Sequence, residues 1–237
     1  LISTWNTRCG IASYSNNLLC NFSDKVFIFA PENQESIHED SGEVRRCWKL
    51  DNKVDPSLDN LFEEIMKEEI KTIIIQFNYG FFDFTEFGIL IKKLKGQNKN
   101  ILIFLHSTTD PNDLENKSLN SLKDTLTICD RIFVHTPSDL NRLKAIDLQK
   151  NVSLFPHGII NYKETNNNIK EQYNINFNKL NSKNYNVSTF GFCLPNKGFP
   201  ELIEAIYLAK EKGYSFNLNL HTAIYSSSYL YYPQKLQ

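Results

Sequence analysis

From residue 72 to residue 158 one pattern repeats: a short, almost uninterrupted apolar run, then a stretch with helical periodicity. The runs are TIIIQF, ILIFLH, RIFVHT and VSLFPHG, and each is of strand length. TEFGILIKKLK, LNSLKDTLTIC and PSDLNRLKAI separate them, and Pro137 is well placed to open the last of these helices. A strand with no polar alternation is covered on both faces. Strands of that kind joined by helices imply a parallel sheet with a helical layer on each side.

The pattern extends upstream. Ile2 to Thr4 reads as the tail of a strand, Ile11 to Phe22 as a helix, and Val26 to Phe29 as a strand ending at Pro31. A further strand is expected over Val44 to Leu50. In SLDNLFEEIMKEEI, Leu58, Leu61, Phe62, Ile65 and Met66 share one helical face with acids opposite. Residues 1–162 therefore read as one doubly wound α/β domain. Residues 163–186, dominated by Asn and Lys, read as a linker. Strand VSTFGF, helix PELIEAIYLAKEKG and strand FNLNLHT then open a second parallel domain over 187–237. With 237 residues the chain exceeds one domain and falls short of two, and it reads as cut off early in its second lobe.

Ligands of such sheets sit beyond the carboxyl ends of the strands. That edge comprises Trp5 to Gly10, Asn78 to Gly80, His106 to Thr109, Thr136, and His157 with Gly158. Gly10, between a strand and a helix start, fits an anion or an acceptor at the bare N–H groups of the helix, or an ordinary tight turn. His106 can donate to a sugar hydroxyl or a phosphate oxygen, or serve the loop structurally. His135, inside RIFVHT, reads as structural. His157 reads as a hinge residue, with contact to ligand as the alternative, and Gly158 as supplying a special backbone angle. Lys197, before Gly198 and a helix, fits a diphosphate clamp or a surface turn.

The formal net charge of −1 gives no basic excess for nucleic acid. The local run of Lys92, Lys93, Lys95 and Lys99 reads as a solvated helix end, with peripheral contact to an anionic membrane as the alternative. No apolar run is long enough to span a bilayer. Five scattered cysteines argue against a disulfide framework or a zinc site and for a reducing, cytoplasmic setting. No metal or cofactor is expected. GxGxxG, GxSxG, HExxH, P-loop and CxxC patterns are all lacking.

Four segments in this order, CGIASYS, LHST, PHG and GFCLPNKG followed by ELIEAI, resemble the GT-B glycosyltransferases of family four. IIIQFNYG is similar to that family's cleft strand. The resemblance implies a retaining transfer of a sugar from a nucleotide diphosphate donor to an acceptor hydroxyl, without a metal, in polysaccharide or glycoconjugate synthesis. It implies that His106 is the active-site histidine and that Lys197 neutralises the leaving diphosphate. Gly10, Asn78, Thr136, His157, Gly191, Asn196 and Gly198 would contact the substrates. Where many members carry arginine after the glycine of the second-lobe motif, this chain has Phe192, the feature that favours a non-catalytic accessory module as the alternative. The chain also stops before the family's later acidic motif, so by itself it is expected to lack most of the donor site and to be inactive.

Overall fold

The structure, a computed structural model, describes residues 1–50, 54–111, 117–159, 184–194 and 197–223. The chain divides into two compact units, Leu1–Ile159 and Ile160–Gln237.

In the first unit, α1 (Gly10–Leu19), β1 (Ile28–Pro31), β2 (Val44–Trp48), α2 (Asp59–Met66) and β3 (Thr72–Phe77) come in turn. They are followed by α3 (Phe84–Gly96), β4 (Asn100–Leu105), a 3-10 turn (Leu119–Leu122) running into α4 (Lys123–Thr127), and β5 (Arg131–Val134). α5 (Pro137–Ala145) and β6 (Val152–Leu154) close it. β3, β4, β5 and β6 form a four-stranded parallel sheet in that order, and β1 pairs in parallel with β2. The N-terminal backbone joins the two. Ile2 bridges Phe29 on one side and Ile75 on the other, and its N–H donates to the Ile74 carbonyl at 2.8 Å. Leu1–Ser3 thus acts as a very short central strand. The chain runs outward from it through β1 and β2 on one side and through β3 to β6 on the other. That arrangement is compatible with a Rossmann-like domain.

Side chains two apart on a strand face the same side. Phe77 and Leu105 point toward α3, where Phe87 lies with its ring centroid 5.2 Å from that of Phe77. Gln76, Phe104 and Phe133 point to the other face, where Tyr14 of α1 approaches Phe104. Helices therefore cover both faces, as the unbroken apolar runs require. The core includes Ile2, Phe29, Leu61, Ile75, Phe77, Phe87, Leu94, Ile103 and Leu126. At one end Phe82 stacks on Trp48 at 4.9 Å and on Phe87 at 5.1 Å.

Several boundaries differ from those read in the sequence. The helix expected over 11–22 runs from Gly10 to Leu19. LNSLKDTLTIC is a 3-10 turn followed by five α-helical residues, because its apolar positions fill only a short stretch of core. The lysine run ends α3 as expected. Lys93 pairs with Asp59 and Lys95 with Asp130, and Lys99 donates to the Ile70 carbonyl.

The second unit contains β7 (Asn184–Phe192), α6 (Phe199–Glu211) and β8 (Ser215–Ala223), with β7 and β8 parallel and paired over nine residues. β7 starts inside the stretch read as linker: Asn184, Tyr185 and Asn186 already pair with Ser215, Phe216 and Asn217. The rest of that stretch, 163–183, lies outside the described residues. Among the described residues Cys193 and Phe199 are buried here, while Phe190 is 87% exposed. No helix among the described residues is long and apolar enough to cross a membrane.

Candidate functional site

Four neighbouring strands each deliver one polar side chain to the carboxyl edge of the sheet. Gln76 lies near the end of β3, His106 directly follows β4, His135 directly follows β5, and His157 follows β6. His106 and His135 come two residues after Phe104 and Phe133, so they stand on the same face, above the stacked phenyl rings. Tyr14 of α1 closes over them. Its ring meets His106 edge-on at 4.9 Å, His135 at 5.4 Å and His157 at 5.3 Å. His157 is exposed and stacks on His135 at 3.9 Å.

The hydrogen bonds fix the tautomers. His106 Nε2 lies 2.6 Å from Gln76 Oε1, which only accepts, so Nε2 carries the proton and Nδ1 is bare. His135 Nδ1 lies 2.9 Å from the Phe155 carbonyl, so Nδ1 is the protonated nitrogen and Nε2 is bare. Burial, and after it the neighbouring His135 and His157, hold the His106 pKa down at about 3. Burial also lowers His135, against the opposing pull of the Phe155 carbonyl, and raises Tyr14. At neutral pH His106, His135 and Tyr14 are uncharged, and Gln76 carries no titratable group.

Three buried polar atoms of this cluster have no partner: Tyr14 Oη, Gln76 Nε2 and His135 Nε2. A buried polar group left unsatisfied costs about 1–3 kcal/mol. Here three stand together at the edge where such sheets bind ligands. They offer an amide donor, a lone-pair acceptor and a hydroxyl that does both, which is the complement of a hydroxylated ligand. The loop after His106 is tied down: Thr108 Oγ1 donates to Asp139 Oδ1 at 2.6 Å and accepts from Arg142 Nη1 at 3.3 Å.

The other sites expected from sequence fall as follows. Gly10 opens α1 without a side-chain cap at Cys9, and a Cβ there would meet nothing within 4 Å. The left-handed residue of that turn is Asn6, at φ 48°, a conformation asparagine tolerates. Asn78 Oδ1 accepts from the Gly80 N–H at 3.1 Å. The Thr136 hydroxyl caps α5, completing a capping box with Asp139. Gly158 has no positive φ, so the special backbone angle expected there is absent. Gly191, at φ 141°, and Gly198, at φ 72°, do have one, and Gly198 is the N-cap of α6. Lys197 is exposed, and its backbone N–H donates to the Leu194 carbonyl. Asn196 lies outside the described residues.

Tyr14 and Gln76 were not singled out from sequence, and His135 was read there as structural. Gln76 carried a signal, as a polar side chain between Ile75 and Phe77 in the apolar part of a strand. Tyr14 carried none, because helical periodicity alone does not say what lies across from it. Among the described residues no group of histidine, cysteine and acidic side chains is placed to hold a metal. Stacking of His135 on His157 sets their in-plane lone pairs side by side instead of converging. All five cysteines are free thiols, and burial raises Cys47 and Cys129 to about 12. No family model matches this chain, and no curated protein gives a significant match to it.

Proposed function

We propose that the chain is part of a GT-B-type glycosyltransferase that moves a sugar from a nucleotide diphosphate to an acceptor hydroxyl. The observation that carries this reading is the uncharged cluster of Gln76, His106, His135 and Tyr14, with three unpartnered buried polar atoms at the ligand-binding edge. A phosphate calls for a cation or for converging N–H donors. This cluster has a neutral imidazole instead, which suits sugar hydroxyls. In the reaction the bond from the anomeric carbon to the diphosphate oxygen breaks and the bond to the acceptor oxygen forms. The acceptor's proton passes to the departing diphosphate. The first unit's cluster orients hydroxyls through Gln76 Nε2 and the bare nitrogens of His106 and His135.

For the second unit, the proposal gives Lys197, at the mouth of α6, the charge that grows on the departing diphosphate. The free thiols support a cytoplasmic setting. A second reading, an accessory carbohydrate-binding module, is favoured by Phe192, which occupies the position of a second cation. The deciding measurement is a donor screen that follows nucleoside diphosphate release. Donor-dependent release that falls at least tenfold in His106→Ala supports the transferase. Binding of glycans with no release from any donor supports the module and sinks the transferase.

A further inference from the structure

A cavity lies on the other side of α1 from the histidine cluster. It is a cleft of about 530 Å³ lined by Trp5, Asn6, Thr7, Ala12, Ser13, Asn16 and Asn17, and across from them by residues 37–41. The size is that of a small-molecule site, roughly 300–1,000 Å³. Ser13, Asn16 and Asn17 are three and four residues apart and share one helical face, while Tyr14 is turned toward the histidines. The cleft and the histidine cluster therefore flank one helix, and both lie beyond the carboxyl ends of parallel strands.

The far wall is locked in place. Asn6 Nδ2 donates to the His38 carbonyl at 2.6 Å and to Asp40 Oδ1 at 2.9 Å, while Asn6 Oδ1 accepts from the His38 N–H at 3.1 Å. Arg46 holds Asp40 from below through Nε at 2.6 Å and Nη2 at 3.2 Å, and its Nη1 donates to the Pro31 carbonyl. With these bonds the Arg46 guanidinium is spent. Among the described residues lining the cleft there is no lysine or arginine, and Glu39 adds a negative charge. A phosphorylated or otherwise anionic ligand is therefore poorly served.

What remains suits an uncharged polyol. Asn16 and Asn17 present amides, and Thr7, Ser13 and Ser41 present hydroxyls. Each of these groups donates or accepts as a sugar hydroxyl requires. The Asn16 and Asn17 side-chain amides have no partner among the described residues. The half-buried Trp5 adds a flat apolar face with a polar N–H edge. Such a face suits the C–H surface of a pyranose ring.

We propose that this cleft binds a neutral oligosaccharide. On the transferase reading, that oligosaccharide is the non-reacting part of the acceptor chain, so this assignment rests on that reading; binding itself does not. The test is calorimetry and tryptophan fluorescence on the whole chain, without donor. The probes are neutral tetrasaccharides of hexose and of N-acetylhexosamine, the corresponding monosaccharides, and a nucleoside diphosphate. Trp48 is buried, so a fluorescence change reports Trp5.

One tetrasaccharide is expected to bind at least tenfold more tightly than its monosaccharide and to perturb Trp5. Trp5→Ala and Asn16→Ala are each expected to weaken it about tenfold. Asn16 is an exposed helical position, so that variant folds even if Trp5→Ala does not. Failure of every tetrasaccharide to bind overturns the proposal, and so does binding indifferent to Asn16→Ala and Asn17→Ala. A nucleoside diphosphate that binds and depends on the same residues overturns the ligand class. Failure of nucleoside diphosphate release in the donor screen removes only the acceptor assignment, because oligosaccharide binding is measured without donor.

Discussion

His106 is held neutral because its ring is largely out of water, and that has a consequence for stability. Its ordinary pKa is 6.5 and its folded value is about 3. Between those values the unfolded chain binds a proton that the folded chain refuses, so stability falls as the pH drops through that window. The slope from this one group is at most about 1.4 kcal/mol per pH unit. Urea denaturation of wild type and His106→Gln at pH 7, 6, 5 and 4 should show the variant losing less stability on acidification. Parallel curves would mean that His106 titrates normally. Tyr14 gives a second test. Its hydroxyl is buried with no partner, so Tyr14→Phe removes a liability from the empty protein. Unfolding should become harder by about 1 kcal/mol while ligand affinity falls. A stability loss would show that the hydroxyl is satisfied in the free protein and is not waiting for a ligand.

At the scale of elements, His106 could be read from sequence because it stands at the end of an apolar strand run. The strands themselves were legible for the same reason: TIIIQF and ILIFLH have no other comfortable place than a covered parallel sheet. Helix ends were less legible, since they depend on where the core surface stops. Thr136 shows how an edge position acquires a structural task. It follows β5 as an edge residue should, yet its hydroxyl is engaged in the capping box of α5. Thr136→Ala should cost about 1 kcal/mol by denaturant titration. An aromatic stack fills the space between β3 and α3. Phe82 is 2% exposed and lies between Trp48 and Phe87. Phe82→Ala should destabilise by about 3–5 kcal/mol, and a loss under 1 kcal/mol would contradict this packing.

For the whole molecule, the buried core residues among those described run from Ile2 to Leu148, with Val152 packed against them, all in the first unit. A chain ending at Ile159 should therefore unfold cooperatively, with a urea midpoint close to that of the first transition of the full chain. A non-cooperative melt would show that the first unit depends on residues after 159. Lys197 belongs to the second unit, and its test is kinetic. On the transferase reading, Lys197→Ala lowers kcat by roughly 10²–10³, while Lys197→Arg keeps part of the activity. Turnover of the alanine variant within about threefold of wild type would remove the lysine from the mechanism.

The sequence by itself determined the class of sheet, the order of its elements, and which edge carries His106, Asn78 and Thr136. Apolar runs and helical periodicity are local properties, and local properties can be read along one dimension. Only the tertiary structure decided that Gln76, His135 and Tyr14 meet His106, that His135 keeps a bare nitrogen, and that Asn6 reaches 34 residues along the chain to hold Asp40. These depend on strand register, on which face of α1 turns inward, and on desolvation by neighbours distant in sequence. Register and desolvation follow from the packing of the whole unit, and no local pattern of residues encodes them.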